Sequence, residues 1–176
     1  ASDVYKRQLL AMTAKKNKFE TKAIHVGNKP DSSTGSVSPP INLTSTFAQD
    51  GIGKNKGFDY SRGTNPTRER LEKNIASLEN GVGAVAFGSG MAAISAVIHL
   101  LSSGDEIIFT RNVYGGTYRM ITRVISNHGI DFDFVDTTDI KNIKRTINKK
   151  TKWVFIETPT NPMLEITDIR AVADLC

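Results

Sequence analysis

Cysteine is almost missing from this chain, whose one such residue is Cys176. Neither an intrachain disulfide nor a cysteine-based zinc site can form, which suits a reducing, cytoplasmic setting. Histidine is scarce as well, at three residues. His25 has no second ligand at helical spacing, so it reads as a surface or hydrogen-bonded histidine and no metal is expected. Long hydrophobic runs are absent too. The most apolar stretch, Ala84 to Leu101, is broken by Gly88-Ser89-Gly90 and carries His99, so no run reaches the roughly 18 residues of a membrane span. Aromatic residues make up 7% of the chain, and they do not interleave the two basic runs, 15–18 and 141–152, that hold most of the +5 net charge. A solvated helix face explains the second run more simply than a nucleic-acid site. What the chain does have is 39% hydrophobic residues in 176, enough for a soluble globular domain with a core.

The first residues stand apart. Asp3-Val4-Tyr5-Lys6-Arg7-Gln8 spells what a transposon end used in library preparation encodes when read through. Residues 1–18 therefore read as a tail that is partly an assembly scar, with Met12 as the expected start. Neither a secretory signal nor a transit peptide fits, because the apolar part is too short and the organellar Arg and Ser bias is missing. A scar at the front makes the chain a candidate fragment.

The organising stretch is Ala84-Val85-Ala86-Phe87-Gly88-Ser89-Gly90-Met91 and the apolar residues after it. Ala84 to Phe87 suits a short buried strand, and a buried helix follows from Met91. Between them, two glycines around a serine let the backbone approach a bound group, while the first helical N–H groups have no partner inside the helix. Such a helix start attracts an anion through free donors and through the dipole; a tight turn that binds nothing would look the same. The nearby Gly81-Val82-Gly83-Ala84-Val85-Ala86 spells a dinucleotide fingerprint, yet its glycines follow a helix and open a strand, the reverse of what that fingerprint needs.

Upstream, Phe19 to Val26 can make two helical turns, Gly27 to Pro40 is irregular, and Ile41 to Phe47 is a short extended piece. Residues 19–64 read as an extended arm. Asn65 caps a helix with Pro66 in its first turn, and Leu71, Ile75 and Leu78 give that helix, about Pro66 to Glu79, one apolar face. Tyr60 and Arg62 lie on the loop before it. Two residues apart on an extended loop they point the same way, and an arginine fork binds two phosphate oxygens at once; a solvent-facing Arg beside a packed Tyr remains the alternative.

Downstream, strands are expected at Glu106 to Thr110, Phe132 to Val135 and Trp153 to Glu157, with helices at about Tyr114 to Asn127 and Ile140 to Ile147. This alternation predicts an α/β domain with a mainly parallel sheet and helical crossovers, whose ligands bind beyond the C-terminal strand ends. Gly88-Ser89-Gly90, Tyr114 and Asn161 follow three such ends. Together they offer phosphate donors, an aromatic face and an amide, a set that suits a phosphorylated aromatic ring.

Four spaced segments, Tyr60-Ser61-Arg62 with Asn65-Pro66-Thr67-Arg68, Gly88-Ser89-Gly90-Met91-Ala92, Tyr114-Gly115-Gly116-Thr117-Tyr118-Arg119 and Glu157-Thr158-Pro159-Thr160-Asn161-Pro162, closely resemble the pyridoxal-phosphate enzymes of cysteine and methionine metabolism. The resemblance, nearest to cystathionine γ-lyases and γ-synthases, spans about Phe19 to Cys176. It implies a partial aminotransferase-type (fold type I) large domain over 65–176, a cytoplasmic homotetramer and a pyridoxal 5'-phosphate cofactor. It also implies that Ser89, Gly90 and Met91 hold the cofactor phosphate, with Tyr60 and Arg62 reaching it from a neighbouring subunit. Tyr114 would stack on the ring and serve as a proton acceptor, Asn161 would bond the 3-hydroxyl, and Arg119 would help place an amino-acid substrate.

The same resemblance shows what this chain lacks. The cofactor needs a lysine to hold it and move protons, and a carboxylate to keep its ring nitrogen protonated. In the family these lie in S-x-T-K and V-D-N-T segments after Asn161, and neither occurs before Cys176. The chain therefore reads as an N-terminal part, inactive alone, cut within a helix that begins near Thr167-Asp168. The implied activity of the whole is γ-elimination of cystathionine to cysteine. Replacement on an acylated homoserine is the alternative, and a non-catalytic binding module is the second.

Overall fold

The computed structural model describes residues 17–176; the scar-like segment, Met12 and Lys15-Lys16 lie outside the described residues. By its contacts the chain divides into two units, one ending at Ala86 and the other beginning at Phe87.

In the first unit, α1 (Phe19–His25) packs on α2 (Pro66–Leu78). The sequence signals at α2 act as expected: Asn65 Oδ1 accepts from the Thr67 amide at 2.8 Å and Pro66 occupies the first turn. Asn74 of α2 places Nδ2 within 2.9–3.1 Å of the carbonyls of Lys22, Ala23 and Val26 and shares its two protons among them, tying the end of α1 to α2. Ile41 to Phe47 forms no strand. Only one antiparallel bridge, Thr46 to Tyr60, closes the loop between them, flanked by Phe47 N–H to Asp59 O at 2.9 Å and Ser61 N–H to Ser45 O at 2.8 Å. The apolar face expected on α2 is present but uncovered, with Leu71 53% and Ile75 43% exposed.

The second unit is built on three parallel strands, β1 (Glu106–Thr110), β2 (Asp131–Val135) and β3 (Thr151–Phe155), in the order β2-β1-β3. β1 is central and buried throughout, which is why it reads Glu-Ile-Ile-Phe-Thr without alternation. Its one acid, Glu106, is taken up by Asn148 Nδ2 at 2.6 Å and by the Thr151 hydroxyl. On one face Ile107 and Phe109 join Ile98 of α3 (Gly90–Ile98), Ile121 of α4 (Gly115–Arg123) and Ile125 in a single core. Strand periodicity turns Ile108 to the other face, where α5 (Ile140–Thr146) packs on β2 and on α6 (Ile169–Leu175).

Three expectations shift. The helix foreseen to Asn127 stops at Arg123 and gives way to a 3-10 turn, Ile125–His128, because Val124-Ile125 are β-branched and Ser126-Asn127 are poor helix formers. The third strand starts at Thr151 and ends at Phe155, with Lys152 bulged where the β1–β3 register slips between Glu106 and Ile107. Ala84 to Phe87 belongs to no ladder. A strand is a property of a pair, and among the described residues this segment's one polar partner is Glu72, whose Oε1 accepts from the Ala86 amide at 2.9 Å. The basic run 141–152 has its lysines and Arg145 exposed on and after α5, the solvated face expected of it. Among the described residues no helix is long and apolar enough to cross a membrane.

Candidate active site

The three parallel strands of the second unit end on one edge, where Tyr114 follows β1 and Asn161 follows β3, while the Ser89 turn precedes β1. At the start of α3, Ser89 is extended and its Oγ accepts from the Ala92 amide at 3.1 Å, while Ser89 O accepts from Ala93 N–H at 3.1 Å. Those two bonds account for the third and fourth helical amides. The Gly90 and Met91 N–H groups have no partner among the described residues, and the Ser89 hydroxyl, accepting through oxygen, keeps its proton to donate. Around Gly88 and Gly90 the space a Cβ would need is open, so a tetrahedral anion can approach the backbone.

Tyr114 stands at the N-terminus of α4 without a side-chain cap. Its own amide is held instead by Glu157 Oε2 at 2.8 Å, and the Glu157 amide is in turn held by Thr110 Oγ1 at 3.2 Å. The ring lies across Gly116. A Cβ placed on Gly116 would overlap Tyr114 Cε1 and come within 3.1 Å of Met91 Sδ, so this glycine lets the ring and the Met91 sulfur share one surface. Thr117 Oγ1 meets the same sulfur at 3.9 Å. Tyr114 is 57% exposed, leaving ring surface free for a flat ligand. Arg119 projects back along α4, its Nη1 being 3.4 Å from where a Gly115 Cβ would sit.

Asn161 is exposed on the loop after β3. The loop is closed on itself: Thr160 is buried, its amide donates to Glu165 O at 3.1 Å, its hydroxyl accepts from Glu165 N–H at 3.0 Å, and Thr158 Oγ1 accepts from Thr167 N–H at 3.0 Å. Below it Thr110, Thr137 and Thr167 form a buried hydroxyl chain, with oxygens 3.2 and 2.6 Å apart.

The second unit thus brings the Ser89 turn and Tyr114 into one surface and puts Asn161 on the neighbouring strand-end loop. Tyr60 and Arg62 belong to the first unit, where the Arg62 guanidinium carbon lies 4.6 Å from the centre of the Tyr60 ring. The two side chains share a side of their loop.

A family model described as Cys/Met metabolism PLP-dependent enzyme matches residues 20–176. The chain belongs to that family. Among curated relatives of this family, it is 50% identical over 156 residues to "Putative cystathionine gamma-lyase 2" of Caenorhabditis elegans, covering 88% of this chain and 40% of the relative. It is 46% identical to "Cystathionine beta-lyase" of Lactococcus lactis subsp. cremoris, covering 89% and 41%. The crystal structure of cystathionine γ-lyase from Lactobacillus plantarum complexed with L-serine superposes with a TM-score of 0.83 at 49% identity, over 90% of this chain and 42% of that one. The chain therefore spans about 40% of the length of the curated relatives it matches. Their names divide among γ-lyase, β-lyase and γ-synthase at 44% to 50% identity. The likeness to solved family structures supports the aminotransferase-type reading of the α/β fold over the part of the domain present.

The family depends on pyridoxal phosphate, and the donor set fits its parts. Two unpaired amides and a hydroxyl at a helix start match a phosphate, an uncovered phenol ring beside them matches a planar heterocycle, and an exposed amide on the next loop can donate to or accept from a ring substituent. Sequence reasoning missed the residues that hold these groups. Glu157 orients Tyr114 through a backbone amide, which leaves no side-chain signature. Arg111, Asn112 and Glu165 are equally silent: Glu165 Oε1 accepts from Arg111 Nε at 3.2 Å and from Arg111 Nη2, Glu165 Oε2 accepts from Asn112 Nδ2 at 2.9 Å, and Arg111 Nη1 lies 3.0 Å from Asp136 Oδ2. The Arg111 hydrogen bond holds the Glu165 carboxyl below its usual range, helped by Asn112. The Thr138 hydroxyl and amide, with Arg111, do the same for Asp136, and the bond to Glu165 raises Arg111.

Proposed function

We propose that the full-length protein is a cystathionine γ-lyase that releases cysteine from cystathionine by γ-elimination. The observation that carries the cofactor part of this reading is the seating of the Tyr114 ring beside Met91, over Gly116 and next to the unpaired amides of the Ser89 turn. The choice of reaction rests on the γ-lyase names among relatives 48% to 50% identical. When bound, pyridoxal phosphate withdraws electrons from the carbon bearing the substrate amine, so that its α and then a β proton become labile.

The chain's own residues then have distinct tasks. Ser89 Oγ–H and the Gly90 and Met91 amides bind phosphate oxygens where the α3 dipole is positive. Tyr114 covers one ring face, and its hydroxyl accepts a proton near the reacting carbons. Asn161 bonds the ring 3-hydroxyl, and Arg119 attracts a substrate carboxylate. Tyr60 and Arg62, side by side on their loop, supply a phenol and a fork to the phosphate of a neighbouring subunit in a tetramer. The anchoring lysine and the ring-nitrogen carboxylate are assigned to sequence beyond Cys176, and the 176-residue chain by itself is expected to be inactive.

γ-Replacement on acylated homoserine is the second reading, supported by the 44% identity to "Probable cystathionine gamma-synthase" of Herpetosiphon aurantiacus. Purified full-length protein with cystathionine should yield cysteine, 2-oxobutanoate and ammonia. Homocysteine with pyruvate would instead mean β-elimination, and cystathionine formed from acylated homoserine plus cysteine would mean synthesis. Absence of any visible cofactor band would end the enzyme reading and leave a binding module.

A further inference from the structure

The two groups assigned to the cofactor ring stand on different loops, and one carboxylate joins those loops. Glu165, four residues after Asn161, receives Arg111 through two nitrogens and Asn112 through a third, and Arg111 and Asn112 immediately precede the Val113-Tyr114 step. The remaining guanidinium nitrogen grips Asp136, the first residue after β2. A single arginine, itself the first residue after β1, therefore ties the residue that follows β2 to the loop that follows β3, at the edge where the site lies. The Glu165 side chain is only 16% exposed, and its backbone amide and carbonyl are both spent on Thr160, so the carboxylate has little freedom of its own. We propose that Arg111, Asn112 and Glu165 form a positioning clamp that sets the spacing between Tyr114 and Asn161, and through it the seat of a phosphorylated aromatic ring.

The proposal rests on the cofactor reading above and adds to it the residues that hold its geometry. Isolated exposed ion pairs add little to stability. A forked arginine–carboxylate pair differs in that it fixes direction as well as distance, and displacement of a binding group by about 1 Å is costly wherever orientation matters. The clamp should therefore register in how the ligand sits more than in how firmly the protein folds.

The test uses full-length protein loaded with pyridoxal phosphate and compares it with Arg111→Gln, Glu165→Gln and the double variant. Two readouts are needed: cofactor affinity by titration, and the visible circular dichroism of the bound cofactor, which follows ring orientation and which a purely structural role would leave alone. Each single variant should weaken affinity by about tenfold and reduce the dichroic band. Because both singles break the Arg111–Glu165 contact, the double variant should lose little more than Arg111→Gln alone, which also releases Asp136. Asn112→Ala, which removes one bond and spares the ion pair, should give about a threefold loss and decides the matter if the charge variants do not fold. Unchanged affinity and dichroism in the variants, with the parent protein loaded, overturn the clamp. A parent protein that binds no cofactor overturns the reading beneath it.

Discussion

At Gly116 an absent side chain keeps two others in place. Its amide neighbourhood is helical, where alanine is better than glycine by about 0.8–1 kcal/mol, so on propensity alone Gly116→Ala should stabilise α4. The new methyl would overlap the Tyr114 ring and press on Met91 Sδ. Tyr114 is exposed and can swing aside, so the fold should survive with unchanged or slightly raised thermal stability. The ring seat would not. We expect full-length Gly116→Ala to lose at least tenfold in cofactor affinity while its melting temperature holds, and a variant that binds normally would show that the ring does not need that surface. Nearby, Glu165 and Asp136 are both held below their ordinary carboxyl values of 4.5 and 3.8. Groups depressed on folding contribute fully above those values and lose their contribution as pH falls through the folded ones, so the Arg111 pairs are charged across the neutral range and weaken only in acid.

Helices and strands differed in how readily they could be read. α2 was legible because its start is written locally, in Asn65 and Pro66, and its face in Leu71, Ile75 and Leu78. β1 was legible because a central parallel strand is apolar on both sides. Ala84 to Phe87 has similar composition and forms no ladder, since pairing is decided by a neighbour elsewhere in the chain. The Ser89 turn into α3 was readable from three residues, whereas the Arg111–Glu165 pair spans 54 positions and follows no period. The contact between α1 and α2 is also invisible in sequence, yet strict. Gly27 has φ +80, and a Cβ there would lie 2.5 Å from the Arg70 carbonyl oxygen. Gly27→Ala therefore meets a left-handed backbone and an immovable carbonyl together. It should cost about 1–3 kcal/mol and release α1, seen as faster hydrogen exchange at Val26, whose amide bonds Lys22 O at 3.1 Å. Unaltered exchange would mean that α1 is held by other means.

Across the second unit, the site loops have no sheet of their own and stand on the one beneath them. Phe109 is the centre of that support: fully buried, it meets Phe134 at 5.6 Å and Phe155 at 5.3 Å between ring centres, joining β1 to both neighbours. Its successor Thr110 caps the strand, holds the Glu157 amide and starts the hydroxyl chain to Thr167. Removing the ring should therefore act twice. Phe109→Ala leaves a cavity between three strands and should cost about 3–5 kcal/mol, whereas Lys144→Ala on the solvated face of α5 should stay within about 0.5 kcal/mol. Urea unfolding followed by circular dichroism measures both. Because Glu157 carries Tyr114, relaxation around the cavity should also loosen the aromatic seat, so Phe109→Ala protein that remains folded should show a weakened visible dichroic band. A large loss of stability with the band intact would mean that the strand-end loops keep their geometry independently of the core below them.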